Sequence, residues 1–430
     1  MNAPQNIPAE TSVLGSMLLD NAVIPEVMGV LSVNDFYLTS HQKAFQAIVS
    51  LFGKAQSIDS LVLHNALEAE RDRPMVADFL DWTADALPSM AVPHARLVKE
   101  ASLRRQICSL VSAVAERTAF AQEDPLAIAG ELVSALSRLG QSAPRGFRHL
   151  SEIAPSALAE IETAYEGKNP CVGIPSGLGA FDARIGGFPR GGLTVLAGRP
   201  SMGKTALATA AGLGAAHRGY PVGFVTIESP AKRMFTRMLS ATTGIENRNI
   251  LRGTLEDREI TAVVSATGKL SSLPIWPLEG ERRWDNIAAR IRGLKLSEPK
   301  LAAVFVDYIG LVSAPVKGDQ RYLELGRITA EAKTLAVELD LAMILLSQLN
   351  RGVEGREDKR PRLSDLRESG CIEQDADIVG LLYRPGYYSE NEPPTLAELD
   401  IAKNRDGATG VIKLEFREKT ASFHDFEERN

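Results

Sequence analysis

The chain is short of cysteine, of long apolar runs and of positive charge, and each shortage removes a class of protein. Its 430 residues include only three cysteines, Cys108, Cys171 and Cys371. They are too few and too scattered for a disulfide framework or a zinc site, which fits a reducing compartment. No stretch approaches the roughly 20 apolar residues that cross a bilayer, and the opening Met1-Asn-Ala-Pro-Gln-Asn lacks a basic start followed by an apolar segment. The expectation is a soluble, cytoplasmic protein with no membrane partner. A formal net charge of −6 argues against a protein that coats nucleic acid with its whole surface. The acid is unevenly spread: residues 1–140 hold 10 Lys and Arg against 16 Asp and Glu, and the remainder balances at 38 against 38. That balance leaves room for a local basic track, and the acidic first third is the poorer place for DNA. There are no internal repeats of solenoid length and no low-complexity tract.

What is present is enough apolar side chain, 44% of the sequence, to build cores for two or three domains. Residues 1–140 read as an all-α domain, with helices expected over 9–29, 41–52, 59–70 and 92–120. His41, His64 and His94 have no carboxylate or Cys at ligand spacing, so they are expected to be packing or surface residues. The turn formers around Gly140-Gln-Ser-Ala-Pro-Arg-Gly146 open a linker, 141–170, holding one short amphipathic helix over 156–165. Such a helix packs on its own chain or docks on a neighbouring copy. From 171 to 430 short apolar strands alternate with helical stretches, the pattern of a mostly parallel α/β sheet. Strands are expected over 193–197, 222–227, 301–306, 342–346 and 378–382, with a closing pair over 399–403 and 411–416.

The strongest motif is Gly198-Arg-Pro-Ser201-Met-Gly203-Lys204-Thr205, set between the apolar run Leu193-Thr-Val-Leu-Ala and the small-residue start Ala206-Leu-Ala-Thr-Ala. Strand, glycine loop and helix in that order make a phosphate-binding loop. Its backbone N–H groups and the helix N-terminus face the phosphates of a bound nucleotide. Lys204 supplies a point charge to the β- and γ-phosphates, and the Thr205 hydroxyl is placed to ligate Mg²⁺. The strand Leu301-Ala-Ala-Val-Phe-Val-Asp307 delivers a second oxygen ligand for Mg²⁺, Asp307. The strand Val222-Gly-Phe-Val-Thr-Ile-Glu228 ends in a carboxylate that would act as general base toward water. A third strand, Ala342-Met-Ile-Leu-Leu-Ser-Gln348, brings an amide that can sense a phosphate oxygen and signal to the following loop. That loop gathers Arg351, Arg356, Lys359, Arg360, Arg362 and Arg367, offset by four acids, and suits backbone contacts to a nucleic acid.

Taken together, residues 171–430 resemble the ATPase domain of DnaB-type replicative helicases, hexameric motors with a RecA-like fold. The resemblance rests on the phosphate loop, Phe305-Val-Asp-Tyr308, Leu346-Ser-Gln-Leu-Asn-Arg351, Ser364-Asp-Leu-Arg-Glu-Ser-Gly370, Ile372-Glu-Gln-Asp-Ala-Asp377 and Ala402-Lys-Asn-Arg-Asp-Gly407. It reaches the first domain through Ala9-Glu-Thr-Ser-Val-Leu-Gly-Ser-Met-Leu-Leu-Asp20 and Asp35-Phe-Tyr37. The resemblance implies a ring of six subunits around one DNA strand, moving 5′ to 3′, with ATP and Mg²⁺ at subunit interfaces. It implies that Arg405 is an arginine finger on the neighbour's γ-phosphate with Lys403 its companion, and that Arg237 lies near the phosphates. Arg367, Glu368 and Gly370 match positions that contact the DNA backbone. The first domain matches the collar that binds primase, the linker helix one that docks on the adjacent subunit, and a helicase loader is an implied partner. Two departures stand out: Thr226-Ile-Glu-Ser where Ser-Leu-Glu-Met is common, and Cys371 where a small hydroxyl is usual. A RecA-like ATPase serving as DNA-binding scaffold or regulator, without processive unwinding, is the alternative reading.

Overall fold

The computed structural model describes residues 3–54, 56–68, 73–120, 150–166, 173–314, 321–366 and 370–427, with isolated positions between 128 and 136. They fall into two compact units, residues 1–153 and 154–430. No helix among the described residues is long and apolar enough to cross a membrane.

The first unit is helical. Ile7–Leu19 starts where the Asn6 side chain accepts from Ala9 N and Pro8 fills the first turn. The single helix expected over 9–29 breaks at Asp20, whose extended backbone (φ −141°) ends the helix and whose carboxylate caps the next turn at Ala22 N. A short helix, Ile24–Met28, follows behind Pro25. Thr39–Gly53, Ser60–Ala66 and Ala91–Phe120 match the other expected segments, while Val76–Ala84 lies outside them. Its Phe79 and Trp82 join Val13, Leu14, Met17, Phe45 and Ile48 in the core. His41 is a packing residue as expected: buried edge-on to Trp82, it sits 2.8 Å from the carboxylate of Glu10. The helix Leu150–Glu166 is longer than the one read from the linker, and its Leu158, Ile161 and Tyr165 are exposed.

The second unit is built on one nine-stranded sheet: β1 Leu193–Gly198, β2 Val222–Thr226, β3 Ile275–Glu279, β4 Ala303–Asp307, β5 Ala342–Gln348, β6 Ile378–Tyr383, β7 Leu396–Asn404, β8 Gly410–Arg417 and β9 Ser422–Asp425. The order is β3-β2-β4-β5-β1-β6-β7-β8-β9. The first six in that order run parallel, and β7 to β9 close the sheet antiparallel. Both faces are covered, so the inner parallel strands are buried and mostly apolar, and alternate residues serve opposite cores. Leu193, Val195 and Ala197 enter one core and Leu196 the other.

Two strands lie outside the expected set. β3 contains Pro277, which argues against a strand. At the sheet edge its missing N–H faces away from β2, so the pairing survives. β9 has four residues, and only Phe423 among them is large and apolar.

Helix Lys204–His217 crosses the first core closely at Gly212. A Cβ there would lie 2.3 Å from the Phe224 ring, which stacks on Phe305 with centroids 4.8 Å apart. Gly212→Ala is therefore expected to cost about 1–3 kcal/mol by overpacking. Gly268, inside the helix Asp257–Ser271, has nothing within 4 Å of an added Cβ. Gly268→Ala is expected to gain about 0.5–1 kcal/mol from the lower entropy of the unfolded chain. Urea midpoints of the two variants check this, and shifts of the same sign would contradict it.

Candidate active site

The strand register brings the carboxyl ends of β1, β2, β4 and β5 to one edge: Gly198 is level with Gln348, and Thr226 with Asp307. From that edge the chain turns into the helix Lys204–His217 through two left-handed residues, Ser201 at φ 67° and Gly203 at φ 99°. At Gly203 a side chain is barred twice, because a Cβ would also meet the rings of Phe423 and Phe416 at 3.0 and 3.2 Å. Lys204 Nζ folds back onto the loop, donating to the carbonyls of Gly198 at 2.8 Å and Arg199 at 3.2 Å.

Asp307 lies at the centre of this edge, 9% exposed. Burial lifts its carboxyl above the usual range, the Thr205 hydroxyl bonded to it opposes that, Glu228 adds to the rise, and Arg237 and Lys204 oppose it. Four expected residues, Lys204, Thr205, Glu228 and Arg237, thus surround the fifth. Glu228 is exposed, two residues past the end of β2.

Arg237, on the helix Ala231–Thr243, has a buried Nη1 without a hydrogen-bond partner. A buried guanidinium N–H with no acceptor marks a place for an anion. The loop, the folded-back lysine and this orphaned donor fit a nucleotide's phosphates. Thr205 and Asp307 supply one hydroxyl and one carboxylate. Among the described residues no group of three or more His, Cys, Asp or Glu forms a metal cage. Mg²⁺, which keeps much of its shell as water and phosphate oxygens, needs none.

Burial lowers Lys204 from the ordinary lysine value to about 8, against the pull of Asp307 and Glu228. A triphosphate beside it would restore the charge, so above pH 8 nucleotide binding should take up close to one proton. Affinity should then fall by up to about tenfold per pH unit above 8. Calorimetric titration at pH 9 in two buffers of different ionisation enthalpy reads this directly. Equal heats in both would contradict it, and Lys204→Arg should show no uptake.

Two expected residues are not brought to this edge. Asn404 of β7 is level with Ile378 and hence with Thr194, so Lys403 and Arg405 lie at the amino edge of the sheet. With about 3.3 Å of rise per residue, the length of β1 puts roughly 17 Å between that edge and the phosphate loop of the same chain. Arg405 is 68% exposed there, with Nη1 3.6 Å from Asp377. Asp377, buried, also accepts from Leu193 N and Lys333 Nζ, both at 2.7 Å, and its carbonyl accepts from Arg405 N. The Lys403 amine donates to the carbonyl of Glu373. Asp377 is the residue whose part in holding Arg405 sequence reasoning missed, although it closes a quoted motif.

Arg367 and Glu368 lie outside the described residues, and Gly370 is exposed at the start of the helix Gly370–Asp375. The basic run before them is partly engaged within the chain. Arg356 pairs with Asp365 at 2.6 Å, and Arg360 with Glu398 at 2.8 and 3.0 Å. Arg351 and Arg362 are exposed.

Comparison with known proteins shows the family. Residues 173–425 match the family model described as DnaB-like helicase C terminal domain, and residues 2–100 match the DnaB-like helicase N terminal domain. The "Replicative DNA helicase DnaB" of Geobacillus stearothermophilus is 33% identical over 99% of this chain and 96% of its own length. That of Treponema pallidum is 34% identical over 98% and 95%. A solved DnaB-like replicative helicase, described with its interactions with primase, superposes with TM-score 0.75 at 29% identity, covering 98% of this chain and all of that one. A second solved structure, described as an ATPase domain, gives 0.62 at 32% identity over 65% of this chain and all of its own.

Proposed function

Because this chain belongs to the DnaB-like replicative helicase family, an ATP-hydrolysing DNA helicase, we propose that it works as a homohexameric ring moving 5′ to 3′ on single-stranded DNA in the cytoplasm. The observation that carries the ring is the split of one expected site between two sheet edges. Lys204, Thr205, Asp307 and Glu228 share the carboxyl edge, while Arg405 is exposed at the amino edge. A subunit arranged this way completes its own site only with a neighbour's arginine.

On this reading Gly198, Ser201, Gly203, Lys204 and Thr205 hold ATP, with Gln348 and Arg237 beside the γ-phosphate and Thr205 and Asp307 on Mg²⁺. When bound there, the cation would neutralise phosphate charge. Glu228 takes the proton of the attacking water. Arg405, steadied by Asp377 and accompanied by Lys403, reaches the neighbour's γ-phosphate. Arg367, Glu368 and Gly370 grip the DNA backbone without reading bases. Residues 1–140 form a collar that takes primase, residues 141–170 carry the helix that docks on the next subunit, residues 171–430 are the motor, and a loader opens or assembles the ring.

The test is strand displacement on forked substrates. Displacement from a fork with a free 5′ tail, and none from one with only a 3′ tail, is expected. ATP hydrolysis stimulated by DNA without displacement of either would favour a scaffold or regulator.

A further inference from the structure

One side chain of the phosphate loop reaches out of the nucleotide site. Arg199, 7% exposed, directs its guanidinium to the stretch after β5: Nε and Nη2 both donate to Glu354, at 3.0 and 2.5 Å, and Nη1 donates to the Leu349 carbonyl at 2.9 Å. Its own carbonyl accepts from Lys204 Nζ. Glu354 and Leu349 belong to the stretch that follows Gln348, and this stretch is tied onward. Leu349 pairs with Leu366 in an antiparallel bridge, and Asn350 N donates to the Asp365 carbonyl at 2.8 Å. The Asp365 carboxylate accepts from Arg356 Nη2 at 2.6 Å and Arg362 N at 2.7 Å. A continuous set of hydrogen bonds therefore runs from the Lys204 amine to Leu366, the residue before Arg367.

We propose that the Arg199–Glu354 pair is the positioning contact that makes single-strand affinity depend on the nucleotide bound. It rests on the reading that the segment beginning at Arg367 holds the strand. A ligand shifts an equilibrium only through a difference in how it binds the two states. Here the difference lies at Lys204. Beyond the β-phosphate that ADP also offers, a γ-phosphate gives its amine a further anionic partner and weakens its hold on the Gly198 and Arg199 carbonyls, and loss of that phosphate strengthens it again. Arg199 carries the change out of the loop because all its observed side-chain bonds go to the Leu349 and Glu354 stretch. Glu354 is half-exposed, 52% by side chain, but Arg199 is buried, so Glu354→Ala leaves a guanidinium without its carboxylate, and Glu354→Gln, which keeps an acceptor there, guards against a loss that is only one of folding.

The test compares the full chain with Glu354→Ala and Glu354→Gln. Affinity for a fluorescent oligothymidine is measured with ADP and with a non-hydrolysable ATP analogue, alongside hydrolysis without DNA. In the wild type the two affinities are expected to differ by about 5–150-fold, the usual range of coupling between sites. In both variants the ratio should fall to within about twofold of one while basal hydrolysis stays unchanged, and Glu354→Asp should restore part of the ratio. A ratio equal to that of the wild type in Glu354→Ala overturns the proposal. So does an equal loss of affinity in both nucleotide states, which marks a merely structural contact, and so does a wild type with no nucleotide dependence. Arg367→Ala separates the underlying reading. If it leaves affinity unchanged in both states, the strand-holding role of Arg367 fails, whatever Glu354 shows.

Discussion

Glu228→Gln is expected to bind ATP as the wild type does and to hydrolyse it about 10²–10⁴-fold more slowly, the usual worth of a positioned general base. The amide keeps the length and most hydrogen bonds of the carboxylate but cannot accept the proton of the attacking water. Glu228 stands at the rim of the site, exposed, and its charge is felt at both Asp307 and Lys204. It can therefore act on a water near the γ-phosphate without helping to hold the phosphates. Lys204→Ala should behave differently, losing binding together with turnover. Fluorescent nucleotide titration and a single-turnover assay distinguish the two losses. Near-normal turnover in Glu228→Gln would remove Glu228 from the role of base.

Arg405→Ala should also retain ATP binding, since its side chain lies at the opposite sheet edge from the loop of its own chain, and should lose about 10³-fold or more in turnover. The stronger expectation concerns mixtures. Rings made from Arg405→Ala and Lys204→Ala subunits contain some junctions where an intact phosphate loop faces an intact arginine. Mixing two inactive proteins should then recover hydrolysis, with a maximum at intermediate ratios. No recovery in rings shown by mass to be mixed would mean that Arg405 does not act across the junction.

The parts of this site legible in sequence are those with a local signature. A strand, a glycine loop and a helix announce a phosphate site because backbone curvature and helix direction are encoded within thirteen residues, from Leu193 to Thr205. Asp307 and Gln348 are legible because each ends a run of apolar residues. What cannot be read depends on who lies beside whom. Pro277 looks like a strand breaker until its strand is known to be at the edge. Asp20 ends a helix whose apolar periodicity continues past it, because its carboxylate serves the following turn better than the helix serves its backbone. The pairing of Arg199 with Glu354 joins residues 155 positions apart and has no local sign at all.

The placement of Lys204 and Arg405 on opposite edges of a single sheet has a consequence for assembly. The two edges are different surfaces, so a junction that brought them together would be head-to-tail rather than self-complementary. A dimer built this way owns one finished site and two unfinished halves, and an open row of any length always has one site fewer than it has subunits. Only closure of the row on itself gives every chain a partner. Specific activity per chain should accordingly rise with protein concentration and level off when closure is complete, so that dilution alone silences the ATPase without unfolding a single subunit.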